Sequence, residues 1–273
     1  MNDAYAEIQD QKTYVARMNK SLIDKLFFVD KVDADVFVDF GCAKGDLLEI
    51  ISQWSPDGIF IGYDNNPSMI NAARSVFDQD LQRKDQFHFF VNWEEVKTQT
   101  KAAQSSGKKV AIVLSSIIHE VYHYSEPKDI GLFWKRVFET GFDYIIIRDM
   151  MPSQTVDRPS DPNDISRIYR KFLYTQELRD FESSWGSIEN NKNLTHFLLK
   201  YRYKTPNWER EVAENYMPLF RENLMAKIPL EYSVIFHEHY VLPYIRRQIK
   251  KDIGIDLKDP THLKLILEKS KDD

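Results

Sequence analysis

Cysteine is nearly absent: Cys42 stands alone among 273 residues. That excludes an internal disulfide framework and a multi-cysteine zinc site, as expected of a reducing compartment. Long apolar runs are missing as well, since none approaches the about 18 residues of a membrane span. The first residues, MNDAYAEIQDQK, are polar and acidic where a secretory signal would be basic and then apolar. These features predict a cytoplasmic chain with neither signal peptide nor membrane span. A basic excess is lacking too. Lys and Arg total 37 against 42 acidic residues, a net charge of −5, which excludes a uniformly basic nucleic-acid coat and leaves only local patches. Core-forming residues are plentiful at 42% hydrophobic and 13% aromatic, so a disordered or fibrous chain is excluded. The length suits one large domain or a core with an appended element.

The first half alternates short apolar runs with helical patterns, the signature of βαβ units around a parallel sheet. Strands are predicted at Val36 to Phe40, Ile59 to Asp64, Phe87 to Val91, Val110 to Ser115 and Tyr144 to Arg148. Each is almost wholly apolar, as strands covered on both faces must be. Helices are predicted at Leu47 to Trp54, Pro67 to Phe77 and Asp129 to Glu139, with a further one near Ser21 to Val29 ahead of the first strand. From Pro152 the character changes to a Pro, Ser and Asp cluster followed by aromatic-rich helical sequence without clear strands. Strand character returns at Tyr232 to Tyr240 and Leu263 to Leu267. The expected architecture is therefore α/β: a doubly wound, mostly parallel seven-stranded sheet with a helical insertion between strands five and six. The expected divisions are a helical segment at 1–35, a nucleoside-binding core at 36–151, an insertion at 152–230 and the last strands at 231–273.

The most informative stretch is VFVDFGCAKGD, Val36 to Asp46. Asp39 ends a buried strand, while Gly41 and Gly45 bracket a tight turn into a helix, so backbone N–H groups are expected to face a ligand there. Asp64 lies at the end of the second strand, where a carboxylate can accept both ribose hydroxyls of a nucleoside. A dinucleotide site wants three glycines directly after the strand, so that pyrophosphate sits on the helix amino terminus. Here an acid precedes G-x-x-x-G, and an acid would repel pyrophosphate but attract the amino group of a methionine moiety.

The segment DFGCAKG, Asp39 to Gly45, resembles the first motif, D/E-x-G-x-G-x-G, of the class I S-adenosylmethionine-dependent methyltransferases, with Ala43 in place of the middle glycine. The resemblance covers roughly residues 36–150 and implies a methyltransferase that uses S-adenosyl-L-methionine. It implies that Asp39, Gly41, Ala43 and Gly45 form the donor turn, that Asp64 binds ribose, and that Asn65 and Met69 touch the adenosine. Asn92 and Trp93, at the end of the third strand, stand where an adenine contact is expected, with Asn92 replacing the usual acid. Ser115 ends the fourth strand beside the point of methyl delivery.

In the resembling family the stretch after that strand, SSIIHEVYHYS, faces the sulfonium. His119 and Glu120 are the candidate catalytic residues. An imidazole titrating near neutrality could take a proton from an attacking hydroxyl or amine, and a neighbouring carboxylate could orient it or bind a cationic acceptor. The structural alternative is a histidine that caps the next helix. Arg148 and Asp149 end the fifth strand at the same sheet edge, where they line the acceptor pocket, with Asp149 a further catalytic candidate, or pair with each other or with the loop beyond. No metal is expected. His119, Glu120 and His123, like His237 and His239, have suggestive spacing but no third close ligand.

Within the insertion, Asn190 to Pro206 carries Lys192, Lys200, Arg202 and Lys204 without an acid, interleaved with Phe197, Tyr201 and Tyr203. Cations among aromatics suit nucleic acid or a nucleotide. A solvated helix face is the other meaning, and the insertion as a whole is almost charge-neutral. The apolar stripe of Trp208, Val212, Tyr216, Leu219 and Phe220 suits core packing, a lid over the sheet edge, or both. The methyl acceptor is not legible, with a small molecule favoured over nucleic acid by the acidic net charge. Two rival readings are an NAD-linked oxidoreductase on a similar sheet and a non-catalytic nucleoside-binding module.

Overall fold

A computed structural model describes residues 22–80, 82–203 and 207–270. These form two compact units, one holding Ile23–Asp149 with Ile228–Glu238 and the sequence from Lys264, the other holding Met150–Lys227 with His239–Leu263.

The first unit is built on strands β1 (Val36–Phe40), β2 (Ile59–Tyr63), β3 (Phe87–Phe90), β4 (Val110–Ser115) and β5 (Tyr144–Met150). All five pair in parallel. Val36 stands opposite both Ile59 and Val110, and Ala111 stands opposite Tyr144. β6 (Tyr232–Tyr240) and β7 (His262–Lys269) complete a seven-stranded sheet in the order β3-β2-β1-β4-β5-β7-β6. β7 runs against its neighbours: Lys269 N–H bonds Asp143 O at 2.9 Å, while Ser270 N–H bonds Glu231 O at 2.7 Å. The order reverses between β1 and β4, and the carboxyl ends of these strands open the crevice in which such sheets bind ligands.

The apolar runs explain the burial, because β1 and the first five residues of β4 are buried throughout. Phe37, Phe60, Phe87 and Phe77 stack in series through one face of the sheet, with ring centroids 4.4–6.2 Å apart. Helices follow the strands in turn: α1 (Leu22–Lys25) before β1, then α2 (Asp46–Trp54), α3 (Pro67–Phe77), α4 (Trp93–Ser105), α5 (Ile118–Tyr124) and α6 (Pro127–Glu139). Asn66 caps α3 by accepting the Ser68 N–H, and Pro67 occupies the first helical position.

The second unit packs α7 (Pro162–Phe172), α8 (Gln176–Trp185), α9 (Asn191–Lys200), α10 (Trp208–Ala213), α11 (Arg221–Met225) and α12 (Pro243–Ile253). Asp161, Thr175 and Asn190 cap α7, α8 and α9 with side-chain oxygens. Its core joins Ile168, Phe172, Phe181, Phe197, Tyr201 and Ile249. The expected basic and aromatic surface run is therefore corrected. Phe197, Lys200 and Tyr201 are interior, because helical periodicity turns them inward with Leu194 and Leu198. Lys192 lies over the Phe220 ring at 5.0 Å, Arg202 is half-buried, and Lys204 lies outside the described residues.

Three further differences from the sequence reading have plain causes. The helix expected near Ser21 to Val29 is helical only over Leu22–Lys25 and continues as turns, and Ser21 lies outside the described residues. SSIIHEVYHYS is not a loop but turns into α5 at Ile118. Trp93–Ser105 and Pro243–Ile253 are helices that apolar periodicity does not disclose, because both are mostly polar with a single narrow buried stripe.

Candidate active site

The donor turn begins where β1 ends. Asp39 is buried, and burial pushes its carboxyl up to about 7, with Asp64 adding to the rise and Lys25 opposing it. A carboxylate held in this way gains most from a cationic partner. Gly41 and Gly45 adopt φ of +80° and +86°, in the left-handed region that glycine enters without strain. Ala43, where the resembling motif has its middle glycine, also has positive φ, at +46°. A non-glycine residue there costs about 1–2 kcal/mol, and a hydrogen bond compensates, since the Ala43 N–H donates to Asp64 Oδ2 at 3.0 Å.

The expectation that the turn's N–H groups face a ligand is corrected. Gly41 and Cys42 donate to the Tyr63 carbonyl at 2.8 and 3.0 Å, and Gly45 donates to Cys42 O at 2.8 Å. With Ala43 engaged by Asp64, four of the turn's amides are satisfied internally. The pyrophosphate cradle of a dinucleotide site needs such amides free, so this donor set disfavours the NAD-linked alternative.

Asp64 follows β2 and accepts backbone N–H groups from Ala43 and Asn66. Burial raises its carboxyl, while those two amides hold it down. Each oxygen keeps a lone pair for a ribose hydroxyl. Met69 is half-buried on α3 and Asn65 is exposed. Asn92 caps α4, its Oδ1 accepting the Glu94 N–H at 3.0 Å, which uses one of the two lone pairs on the oxygen expected to meet the adenine amino group. Trp93 is taken up by packing against Phe40, Tyr63 and Phe142, with Arg136 5.9 Å from its ring centroid. Its assignment as an adenosine contact is corrected accordingly. Ser115 ends β4, and its buried hydroxyl has no hydrogen-bond partner among the described residues.

The second cluster of candidate residues lies at the ends of β4 and β5. His119 and Asp149 are both buried, and His119 Nδ1 meets Asp149 Oδ1 at 2.6 Å. A carboxylate only accepts, so Nδ1 carries the proton of this contact. Asp149 Oδ2 also accepts the Ile118 and His119 N–H groups, at 2.6 and 3.3 Å. Of the alternatives for this pair, a bond between Arg148 and Asp149 is not the one found. Arg148 bonds Asp24 and Ser116 instead, and Asp149 orients the histidine from inside the sheet rather than lining a pocket. The carboxylate on Nδ1 lies thirty residues away in sequence, while the adjacent Glu120, a candidate either to orient the imidazole or to bind a cationic acceptor, is half-buried. Sequence analysis named His119 and Asp149 separately, and only the β4–β5 pairing brings them together.

Lys25, on α1, completes the charge arrangement. Burial and then Arg148 lower its pKa, while Asp39, Asp149 and Glu120 raise it. An ammonium thus neighbours Asp39, the charge pair that a zwitterionic amino-acid moiety complements. The donor set suits S-adenosylmethionine: an acid without a free amide cradle at the turn, a second acid after β2 and a cation beside the first.

With parallel β1 to β5, a reversal between β1 and β4 and a closing β7 that runs against its neighbours, the fold is that of the class I S-adenosylmethionine-dependent methyltransferases. A protein from Thermobifida fusca described as a methyltransferase is similar at a TM-score of 0.51 and 10% identity, over 94% of this chain and 81% of that one. The methyltransferase domain of bacterial CtHen1 matches at 0.45 and 15%, over 93% and 97%. The plantazolicin methyltransferase BamL, solved with S-adenosylhomocysteine, matches at 0.47 and 12%, over 96% and 87%. No family profile and no curated protein matches the sequence. Among the described residues, no helix is long and apolar enough to cross a membrane.

Proposed function

We propose that this protein transfers a methyl group from S-adenosylmethionine to a hydroxyl or amine of a small molecule, with His119 as the general base. The observation that carries the reading is the 2.6 Å contact of His119 Nδ1 with the buried Asp149, at the same carboxyl edge as Asp39 and Asp64. When bound, the donor supplies an electrophilic methyl on a sulfonium. Asp39 attracts its amino group, and Asp64 accepts its ribose hydroxyls. Asn65, Met69 and the backbone beside Asn92 flank the adenosine. His119 Nε2 takes the proton of the attacking hydroxyl or amine, and Asp149 stabilises the imidazolium that results. The burial of Lys200, Phe197 and Tyr201 supports a small-molecule acceptor over nucleic acid.

Calorimetry tests the donor. S-adenosylhomocysteine is expected to bind at micromolar strength, about −8 kcal/mol, and NAD far more weakly; the reverse order would sink the reading. A screen of radiolabelled methyl transfer over small molecules, peptides and nucleic acids then identifies the acceptor class.

A further inference from the structure

Between β4 and α5 the chain turns at Ser116, whose φ is +59°. A residue with a Cβ costs about 1–2 kcal/mol there, so the turn persists only where its surroundings hold it. Arg148 holds it twice. The Arg148 carbonyl accepts the Ser116 N–H at 2.8 Å, and Arg148 Nη1 donates to Ser116 Oγ at 2.8 Å. The guanidinium is itself fixed from the amino-terminal side, with Nε donating to Asp24 Oδ2 at 2.9 Å. Asp24 Oδ1 in turn receives Lys264 Nζ at 2.7 Å.

Arg148 and Asp149 are successive on β5, so their side chains leave opposite faces of the sheet. One grips the turn at Ser116. The other grips it two and three residues later, at the Ile118 and His119 amides and at His119 Nδ1. We infer that Arg148, seated by Asp24, is a positioning residue that holds the Ser116 turn so that His119 meets Asp149. The inference rests on the proposed role of His119 for its kinetic consequence but not for its geometry. Neither Arg148 nor Asp24 need touch substrate, and Arg148 is a buried cation that the proton transfer does not itself require.

The test uses the full chain with Arg148→Met, Asp24→Asn, and Arg148→Met combined with Ser116→Gly. The first readout is the downfield proton resonance of His119 Nδ1–H in the ligand-free protein, assigned by its loss in His119→Ala. The second is methyl transfer, separated into kcat and donor affinity. Arg148→Met is expected to shift or broaden the resonance and lower kcat about 10²-fold, with donor Kd changed by less than about threefold. Glycine enters positive φ without penalty, so the double variant should recover the resonance and part of the turnover. Asp24→Asn should give the same signature more weakly, and it serves in place of Arg148→Met if that variant does not fold. A lowered Tm with the resonance and kcat per folded molecule both unchanged would mean that the ion pair merely anchors α1, and would overturn the inference. Because the resonance is read without donor or acceptor, its behaviour judges the positioning role alone. Absence of methyl transfer by the wild-type protein would instead remove the proposed function.

Discussion

At the residue scale, the site rests on two carboxylates that burial raises and that different partners hold down. Asp64 accepts two backbone amides, so Asp64→Ala removes a ribose acceptor and also frees the strained Ala43 turn. S-adenosylhomocysteine affinity should fall by about 1.5–3 kcal/mol, the cost of losing a charged hydrogen-bond partner, as read by calorimetry. Unchanged affinity would place the ribose elsewhere. Asp39 accepts no such amides among the described residues, and burial pushes its carboxyl up to about 7, with Lys25 opposing the rise, from 3.8 in the unfolded chain. Between those values the folded state binds more protons than the unfolded one, so stability contributed at this site declines as pH rises from about 4 to about 7. Asp39→Asn keeps the shape and removes the titration. Denaturant unfolding should find it more stable than wild type at pH 8, by up to about 4 kcal/mol, and nearly equal to it at pH 4. A gain independent of pH would deny that burial of the charged carboxylate is the cause. Donor affinity of the same variant should drop, because the amino group loses its anion.

At the scale of elements, legibility followed burial on two faces. β1 and β4 occupy the spans read from the sequence, and α3 does likewise, because apolar runs and the Asn66-Pro67 start leave little choice; β6, a mostly exposed edge strand, matched through its β-branched and aromatic residues instead. Asp39, the two turn glycines and Asp64 were readable for the same reason, each lying at the end of a visible strand. The His119–Asp149 contact was not, because it depends on which strand neighbours β4, a fact of sheet order rather than of local pattern. α9 was misread for a different reason: a lysine in a helix is expected outside. Lys200 instead donates to the carbonyls of Glu211 and Glu214, with the Tyr216 ring centroid 4.2 Å away. Burial pushes its ammonium down to about 7, opposed by Glu214 and Glu211. From about 7 to 10.5 the unfolded chain binds more protons, so this site adds stability as pH rises. Lys200→Met lacks that gain. Its stability relative to wild type should worsen by about 2–3 kcal/mol between pH 6 and pH 9, measured by denaturant midpoints. A pH-independent difference would mean that Lys200 titrates normally.

At the scale of the whole molecule, the proposed function divides two tasks along one sheet edge: the ends of β1 and β2 would hold the donor's charges, and the ends of β4 and β5 the base. Tasks carried by different strands should fail independently. His119→Ala should therefore lower methyl transfer by about 10²-fold or more, while S-adenosylhomocysteine affinity stays within about threefold. Asp149→Asn should lower turnover similarly without unfolding the protein. An amide can present its NH2 group to Nδ1 and so favour the tautomer whose Nε2 is protonated and unable to act as a base. Combining His119→Ala with Asp64→Ala should multiply the two losses, because sites without shared partners add in free energy. If His119→Ala instead weakened the donor as much as Asp64→Ala does, the imidazole would belong to the cofactor's seat and the acceptor's base would have to be sought elsewhere. A His119→Ala protein with full turnover per folded molecule would leave methyl transfer to proximity and alignment alone. The 2.6 Å contact with Asp149 would then be a buried polar pair that only holds α5 to β5.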